Sequence, residues 1–265
     1  MIPANFFLKF FLTFKVIKNI HIFILDYFGL IKSKEVIYKT WNNLKFFTRN
    51  GTSDKSEIVI VTGGSEYPEK YFPRGRGLLI IDIGAHIGSF SAYLSRSMEA
   101  DQPMVYAVEP SKDNFRLLLK NVELNNFKKI KCFNLAIGDN NGYGYIDLTK
   151  DFDAFTINET GDSISGSSKN SEKCQIVTLE SFCQDEGINA IDLLKMDCEG
   201  GEHKIFNQSL KFIKEKVRSI FVEVHCLPGE RTVFEFKQFL IENNFSVEAE
   251  IYGRTFFATN LNVDN

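Results

Sequence analysis

Three stretches of this sequence combine residue types and spacings that could do chemistry. In Ile81-Asp82-Ile83-Gly84-Ala85-His86-Ile87-Gly88-Ser89-Phe90, an apolar run passes through a glycine-bearing turn into a helical pattern. Glycines there let the backbone come close to a ligand, because no Cβ stands in the way. The spacing is D-x-G-x-x-x-G, not the G-x-G-x-x-G that seats a pyrophosphate on a helix N-terminus. The second stretch, Val105-Tyr106-Ala107-Val108-Glu109-Pro110, ends the next apolar run on a carboxylate. Such an acid can accept hydrogen bonds from ribose hydroxyls, or it can simply help open the helix that follows. The third, Lys195-Met196-Asp197-Cys198-Glu199-Gly200-Gly201-Glu202, gathers acids at the end of a later apolar run. Lys195 and Asp197, two apart on a strand, share a face, and a buried lysine needs a partner to keep its charge. Negative charge at that edge could steer a cation, orient a hydroxyl or accept its proton. His225 ends a further apolar run and would open toward the same edge. The structural alternatives are a helix capped by Glu199 through the Gly-Gly turn, a hydrogen-bonded strand-end His225, and a His86 that only shapes its turn. Asp197 and Glu199 with Glu223 or His225 could hold a divalent cation, but no ligand spacing compels one and none is assigned.

Positioning these residues requires strands alternating with helices. Short apolar runs at 58–61 (ending at Gly63-Gly64), 78–83, 104–108, 130–137, 191–196 and 219–224 read as strands. Helical patterns follow from Ser89, over 112–125 (with Phe115, Leu118, Leu119 and Val122 on one face), near Glu180, from Glu202 and over 232–242. Residues 175–177 form a short extended run, and 246–251 with 255–259 flank Tyr252-Gly253-Arg254 as a terminal hairpin. This alternation predicts an α/β domain with a mostly parallel sheet and helices on both faces. Ligands then bind beyond the carboxyl ends of the strands, where the three stretches fall. The polar segment 149–173, rich in Ser, Asp, Asn and Gly, is long enough to close over a second substrate. The division expected is an N-terminal helical extension, 1–57, and a main domain, 58–265.

Composition limits the function. The chain is 44% hydrophobic and 25% charged with a net charge of −3, so no basic field suggests a nucleic-acid partner. Cys132, Cys174, Cys183, Cys198 and Cys226 form no C-x-x-C pair and read as reduced, unreactive thiols of a cytoplasmic protein. Residues 1–31 are rich in Phe, Ile and Leu, interrupted by Lys9, Lys15 and Lys18. Read as one helix, they place Phe6, Phe10, Phe14, Ile17 and Ile24 on one face. That helix could pack on the main domain or on the partner of a homodimer, or lie on a membrane surface.

The order and spacing of LIIDIGAHIGSFSAYLSR, VYAVEPSKDNFRLLLKNVELNN, FNLAIGD, LLKMDCEGGE and FVEVH resemble the FkbM family of methyltransferases over roughly 58–260. The resemblance implies a Rossmann-like class I fold with a mostly parallel seven-stranded sheet and a C-terminal antiparallel hairpin. It also implies S-adenosyl-L-methionine as methyl donor. The reaction it suggests is O-methylation of a hydroxyl on a sugar, a glycolipid or polysaccharide precursor, or a natural product. Carried over, Gly84, Ala85, His86 and Gly88 would face the methionine part of the cofactor, with Asp82 and Phe90 flanking them. Glu109 would hold the ribose, Ser111 would border the adenine, and Ala136 and Asp139 would lie beside its ring. Asp197, His225, Lys195 and Glu199 form the catalytic set, with His225 and Asp197 the candidate bases. His86 stands where the family commonly has Asn. The competing readings are a nicotinamide-dependent oxidoreductase on a similar sheet and a non-catalytic binding protein of the same fold.

Overall fold

Largely apolar runs are satisfied by strands covered on both faces, and five of them here line up in parallel. In the computed structural model, which describes residues 12–147, 157–158 and 171–263, the elements fall in the following order. They are α1 (Ile20–Tyr27), β1 (Glu35–Lys39), β2 (Lys45–Arg49), α2 (Asp54–Thr62), β3 (Leu79–Ile83), α3 (Ser89–Ser97), β4 (Met104–Val108), α4 (Lys112–Leu124) and β5 (Ile130–Phe133). There follow β6 (Ala136–Gly138), β7 (Gly142–Asp147), β8 (Ile157–Asn158), β9 (Ser171–Thr178), α5 (Leu179–Asp185), β10 (Ile191–Met196), α6 (Glu202–Lys216), β11 (Val217–Glu223), α7 (Val233–Glu242), β12 (Phe245–Ile251) and β13 (Thr255–Asn260).

The main sheet has seven strands in the order β12-β13-β11-β10-β3-β4-β5. β11, β10, β3, β4 and β5 run parallel, and β13 pairs antiparallel with β11 and with β12. The Rossmann-like expectation therefore holds, terminal hairpin included. From β3 the chain winds outward to β5, then crosses back to enter β10 on the other side of β3. The reversal lies between β3 and β10, where such sheets open a crevice for ligands. One apolar cluster, with Ile80, Val105, Leu193 and Phe221, covers one face of the sheet. A second, with Ile81, Val108, Leu194 and Val222, covers the other.

Four expectations need correction. The run at 58–61 is part of α2, not a strand. An apolar run that short suits either element, and Ile58, Val59 and Val61 are buried here on a helix packed beside α3 and β2. The run at 130–137 is two strands, for β6 leaves the main sheet to join a second one of order β6-β9-β7-β8. The N-terminal region is not purely helical, since β1 and β2 form an antiparallel hairpin. Nor is it one continuous helix: after the helical residues 12–16, Ile17 pairs with Thr40 as an isolated bridge. Asn19 then acts as a strand edge, donating to the Ile37 carbonyl (2.8 Å) and accepting from Lys39 N–H (2.7 Å). Ile17 is thereby buried while Phe14 and Ile24 stay exposed, so they share no face. Phe6, Phe10 and most of 149–173 lie outside the described residues, which contain no helix long and apolar enough to cross a membrane.

The hairpin is wired into the main domain. Asn121 and Asn125, one turn apart on α4, treat β2 as a neighbouring strand would. Asn121 accepts from Phe47 N–H (2.7 Å) and donates to its carbonyl (3.2 Å), and Asn125 does the same with Lys45 (2.9 and 2.7 Å). Asn121, fully buried, also donates to the Ile87 carbonyl (2.8 Å). It therefore joins the hairpin to the glycine turn.

Candidate active site

The turn after β3 owes its glycines first to the protein itself. Gly84 has φ +74°, and a Cβ there would lie 1.8 Å from the Asp197 carbonyl oxygen. Only glycine lets the chain leaving β3 pass the chain leaving β10. Gly88 has φ +88°, and a Cβ there would meet Leu118 of α4 at 2.6 Å. Four of the turn's five amides are committed. Gly84 and Ala85 N–H donate to the Val108 carbonyl (3.0 Å each), Gly88 N–H to that of Ala85 (2.8 Å), and His86 N–H to the Glu109 carboxylate (2.8 Å).

Glu109 follows β4 directly and is almost fully buried. Besides His86 N–H it accepts from Ser111 N–H (3.0 Å) and from Asn114 Nδ2 (3.3 Å). Burial pushes its carboxyl up to about 7, against the pull of these bonds and of Lys195. A carboxylate has about four acceptor positions, so a hydroxyl donor such as a ribose can still be taken. His86, at φ +50°, turns its ring toward the N-terminal region. Its Nε2 lies 3.2 Å from Arg49 Nη2 and 3.5 Å from Asp54 Oδ1. Arg49 grips Asp54 through Nη2 (2.6 Å) and Nε (3.0 Å). Burial would raise the Asp54 carboxyl, but these bonds and His86 hold it below its usual value.

Beneath the turn lies a buried ion pair. Lys195 Nζ sits 3.1 Å from Asp82 and 3.8 Å from Asp197, and donates to the Gly84 carbonyl (2.8 Å). Ser91 Oγ donates to Asp82 (2.7 Å). Burial would lower the Lys195 ammonium, but Asp82 and Asp197 outweigh it and keep the charge. Asp82 and Lys195 therefore do not face a ligand, contrary to their expected cofactor and catalytic roles; they brace the turn from below. Other expected contacts are likewise turned inward. Phe90 packs edge-on to Tyr67 and Phe72. Ala85 is buried, and the Ser111 hydroxyl is spent as N-cap of α4. Ala136 sits in a small cluster with Ile146, Cys174 and Ile176 in the second sheet. Asp139, just past β6, is half-buried and accepts from Asn140 (2.9 Å).

The carboxyl ends of β10 and β11 carry an acidic rim. Asp197, Glu199 and His225 are half-buried and Glu223 is buried. Glu202, not Glu199, organises the Gly-Gly turn: it accepts from Cys198 N–H (2.8 Å) and Gly200 N–H (3.0 Å), and meets His225 Nδ1 at 3.1 Å. Nε2 of His225 lies 3.5 Å from Glu199 and 3.8 Å from Glu223. Burial would lower the His225 imidazole, but the Glu202 bond and the surrounding acids push it up to about 9. A ring so charged at neutral pH is a poor proton acceptor, against its expected role as base. Burial raises Glu199 to about 7, with His225 opposing. Arg254 from the hairpin pairs with Glu223.

Residues before β3 complete this rim, and sequence reasoning missed them. Glu57 of α2 accepts from Ser89 Oγ (3.2 Å). Glu66 shares a hydrogen bond with Glu223: burial and the Glu223 charge raise the Glu66 carboxyl, while burial and Asp197 raise Glu223 against the pull of that bond. No local pattern marks Arg49, Asp54, Glu57 or Glu66. The cysteine reading fares better: burial pushes Cys132 and Cys174 to about 11 and Cys183 to about 12, so none is an activated thiol.

The methyltransferase FkbM domain model matches residues 82–247. A crystal structure of methyltransferase FkbM from Methylobacillus flagellatus KT superposes with a TM-score of 0.52 at 12% identity, covering 74% of this chain and 47% of that one. The chain thus spans about half the length of that protein. Precorrin-6y C5,15-methyltransferase from Geobacter metallireducens GS-15 gives 0.43 at 14% identity, over 81% and 89% of the two chains. TYW2 of M. jannaschii, solved in complex with AdoMet, gives 0.41 at 13%, over 86% and 84%. No curated protein matches the sequence.

Proposed function

The chain belongs to the FkbM methyltransferase family, a methyltransferase with S-adenosylmethionine as its donor, and we propose that it methylates a hydroxyl group. The acceptor classes we favour are a sugar, a glycolipid or polysaccharide precursor, or a hydroxylated natural product. One observation carries the reading: the 2.8 Å bond from His86 N–H to Glu109 joins the glycine turn and the acid into one cradle. That cradle stands beside the β3–β10 reversal, and the acidic rim stands across it. The D-x-G-x-x-x-G spacing, which lacks the second glycine of G-x-G-x-x-G, argues against a dinucleotide in the same place.

When bound, S-adenosylmethionine would supply a sulfonium methyl group for attack by the acceptor oxygen in line with the carbon–sulfur bond, with S-adenosylhomocysteine leaving as the neutral thioether. Glu109 would hold the ribose through its remaining acceptor position, and the turn main chain from Gly84 to Gly88 would bound the methionine moiety. The acceptor enters over the ends of β10 and β11, where fixing it in line supplies much of the acceleration. Its hydroxyl proton passes to Glu199, the most accessible carboxylate facing His225, which can return it to water. Asp197 and Glu223 orient the acceptor from below.

The test is transfer from labelled donor to a panel of hydroxylated acceptors. Glu199→Gln should lower kcat by roughly 10²–10⁴-fold, the usual contribution of a general base, with S-adenosylhomocysteine affinity within about twofold of wild type. Transfer to amines but not to alcohols would overturn the hydroxyl assignment.

A further inference from the structure

Asp197, Glu223 and His225 each point one ligand-type atom at a common space. Two carboxylate oxygens and an imidazole nitrogen lie within 4.8 Å of one another. The sheet puts them there. β10 and β11 run parallel with Met196 beside Val222, so Asp197 lies next to Glu223, and His225 follows two residues on.

Two further features point to an occupant. The first is the orientation of His225. Its Nδ1 is held by buried Glu202 at 3.1 Å, which leaves Nε2 facing the carboxylates, where a cation would take the place of its proton. Metal-binding histidines are fixed in this way, donating from one ring nitrogen to a carboxylate so that the other meets the ion. The second is the Tyr67 hydroxyl, 1% exposed and without a hydrogen-bond partner among the described residues. Its ring is wedged between Phe90 (4.8 Å) and Phe221 (5.3 Å), and the charges of Glu66, Asp197, Glu223 and Glu57 act on its hydroxyl. A buried hydroxyl is seldom left unmade, and a water or acceptor oxygen on a cation among those acids would give it a partner.

We propose that Asp197, Glu223 and His225 bind one divalent cation, of the Mn2+ or Mg2+ type, that seats the acceptor through two adjacent hydroxyls. Two carboxylates with one imidazole form an oxygen-rich set suited to such ions. Ligand bonds of about 2.1 Å put adjacent octahedral ligands about 3.0 Å and opposite ones about 4.2 Å apart, so the three atoms, within 4.8 Å of one another here, would draw together on an ion. Three protein ligands leave positions open on the side of the crevice, enough to chelate a vicinal diol. The inference rests on the methyltransferase reading for its acceptor, but the ion can be tested without it.

The experiment takes the full chain, stripped with chelator, and titrates Mn2+ while free Mn2+ is followed by electron paramagnetic resonance. One Mn2+ per chain is expected, with Asp197→Asn and His225→Gln each weakening affinity at least tenfold. Pulsed resonance on the wild type should show nitrogen coupling from a directly bound imidazole, a readout that needs no variant to fold. No Mn2+ binding, binding unchanged in both variants, or absence of that nitrogen coupling overturns the site. S-adenosylhomocysteine is titrated on the same wild-type samples. Its binding without Mn2+ binding overturns the cation site alone. Mn2+ bound at these residues without nucleoside binding upholds the site and overturns the methyltransferase reading.

Discussion

His86 and Glu109 meet through a main-chain donor and a buried carboxylate, 2.8 Å apart. The side chain of the acid therefore fixes the turn, and the turn fixes the acid. Replacing Glu109 removes a ligand contact and a brace together. Glu109→Gln keeps the volume and one acceptor oxygen but loses the charge-assisted bonds. S-adenosylhomocysteine affinity should fall by about 2 kcal/mol, roughly thirtyfold, measured by titration calorimetry. An unchanged affinity would remove the ribose role.

The same acid makes cofactor binding proton-linked. Burial lifts the Glu109 carboxyl to about 7, above its value in an unfolded chain. Between the two values the folded form holds more proton than the unfolded form, so the Glu109 contribution to stability declines as pH rises through that window. Ribose hydroxyls donate, which favours the carboxylate and lowers its pKa. Binding near pH 7 should therefore release on the order of half a proton per site. Calorimetry in two buffers of different ionisation enthalpy reads that number directly, and Glu109→Gln should abolish the difference between them.

Arg49 lies outside the segment that resembles a methyltransferase, yet its partner Asp54 is fully buried and touches His86 of the turn. Arg49→Met leaves that carboxylate without its main cation, at a cost of about 3–5 kcal/mol. Asp54 is held below its usual pKa, so its stabilisation is present above the unfolded value and lost as pH falls through the folded one. Thermal melts from pH 7 down to 3 should show a shallower acid limb in Arg49→Met than in wild type. A variant melting like wild type at every pH would detach the hairpin from the site.

The residues legible in the sequence were those whose meaning is local. A buried strand running into D-x-G-x-x-x-G, a carboxylate closing the next strand, and the acids after Lys195 all carried their placement with them. Illegible residues were those that act across the chain. Asn121 looks like any polar helix residue until β2 lies alongside it, and nothing near Glu66 announces that Glu223 will face it. The run at 58–61 misled because four aliphatic residues fit either period, and only packing between β2 and α3 decides. Even the glycines carried a further meaning. They were read as clearance for a ligand, but what first demands them is the passage of one protein segment past another.

Gly84 and Gly88 make that point measurable. An alanine at 84 would set its Cβ against the main-chain carbonyl of Asp197, which cannot yield without moving the end of β10. An alanine at 88 meets the tip of the Leu118 side chain. Gly84→Ala should cost about 4 kcal/mol or more, and Gly88→Ala roughly 1–3 kcal/mol, as overpacking usually does. Chemical denaturation orders the two. The reverse order would mean that the turn is not pinned against β10.

Lys195 separates bracing from chemistry. Its ammonium neutralises buried Asp82 and hydrogen-bonds the Gly84 carbonyl, so Lys195→Met strands a carboxylate in the core at about 3–5 kcal/mol. Replacing Asp82 as well, in Lys195→Met with Asp82→Leu, removes the stranded charge, and apolar replacements of buried pairs are often close to neutral. Most of the stability should return in the double variant. Cofactor affinity should not, because the Gly84 carbonyl still lacks its donor and the turn is no longer held from below. A catalytic lysine would behave otherwise: the single variant would lose turnover at wild-type stability. Denaturation midpoints and S-adenosylhomocysteine titrations on the two variants tell these outcomes apart. Recovery of both stability and affinity in the double variant would show that the turn stands without its brace.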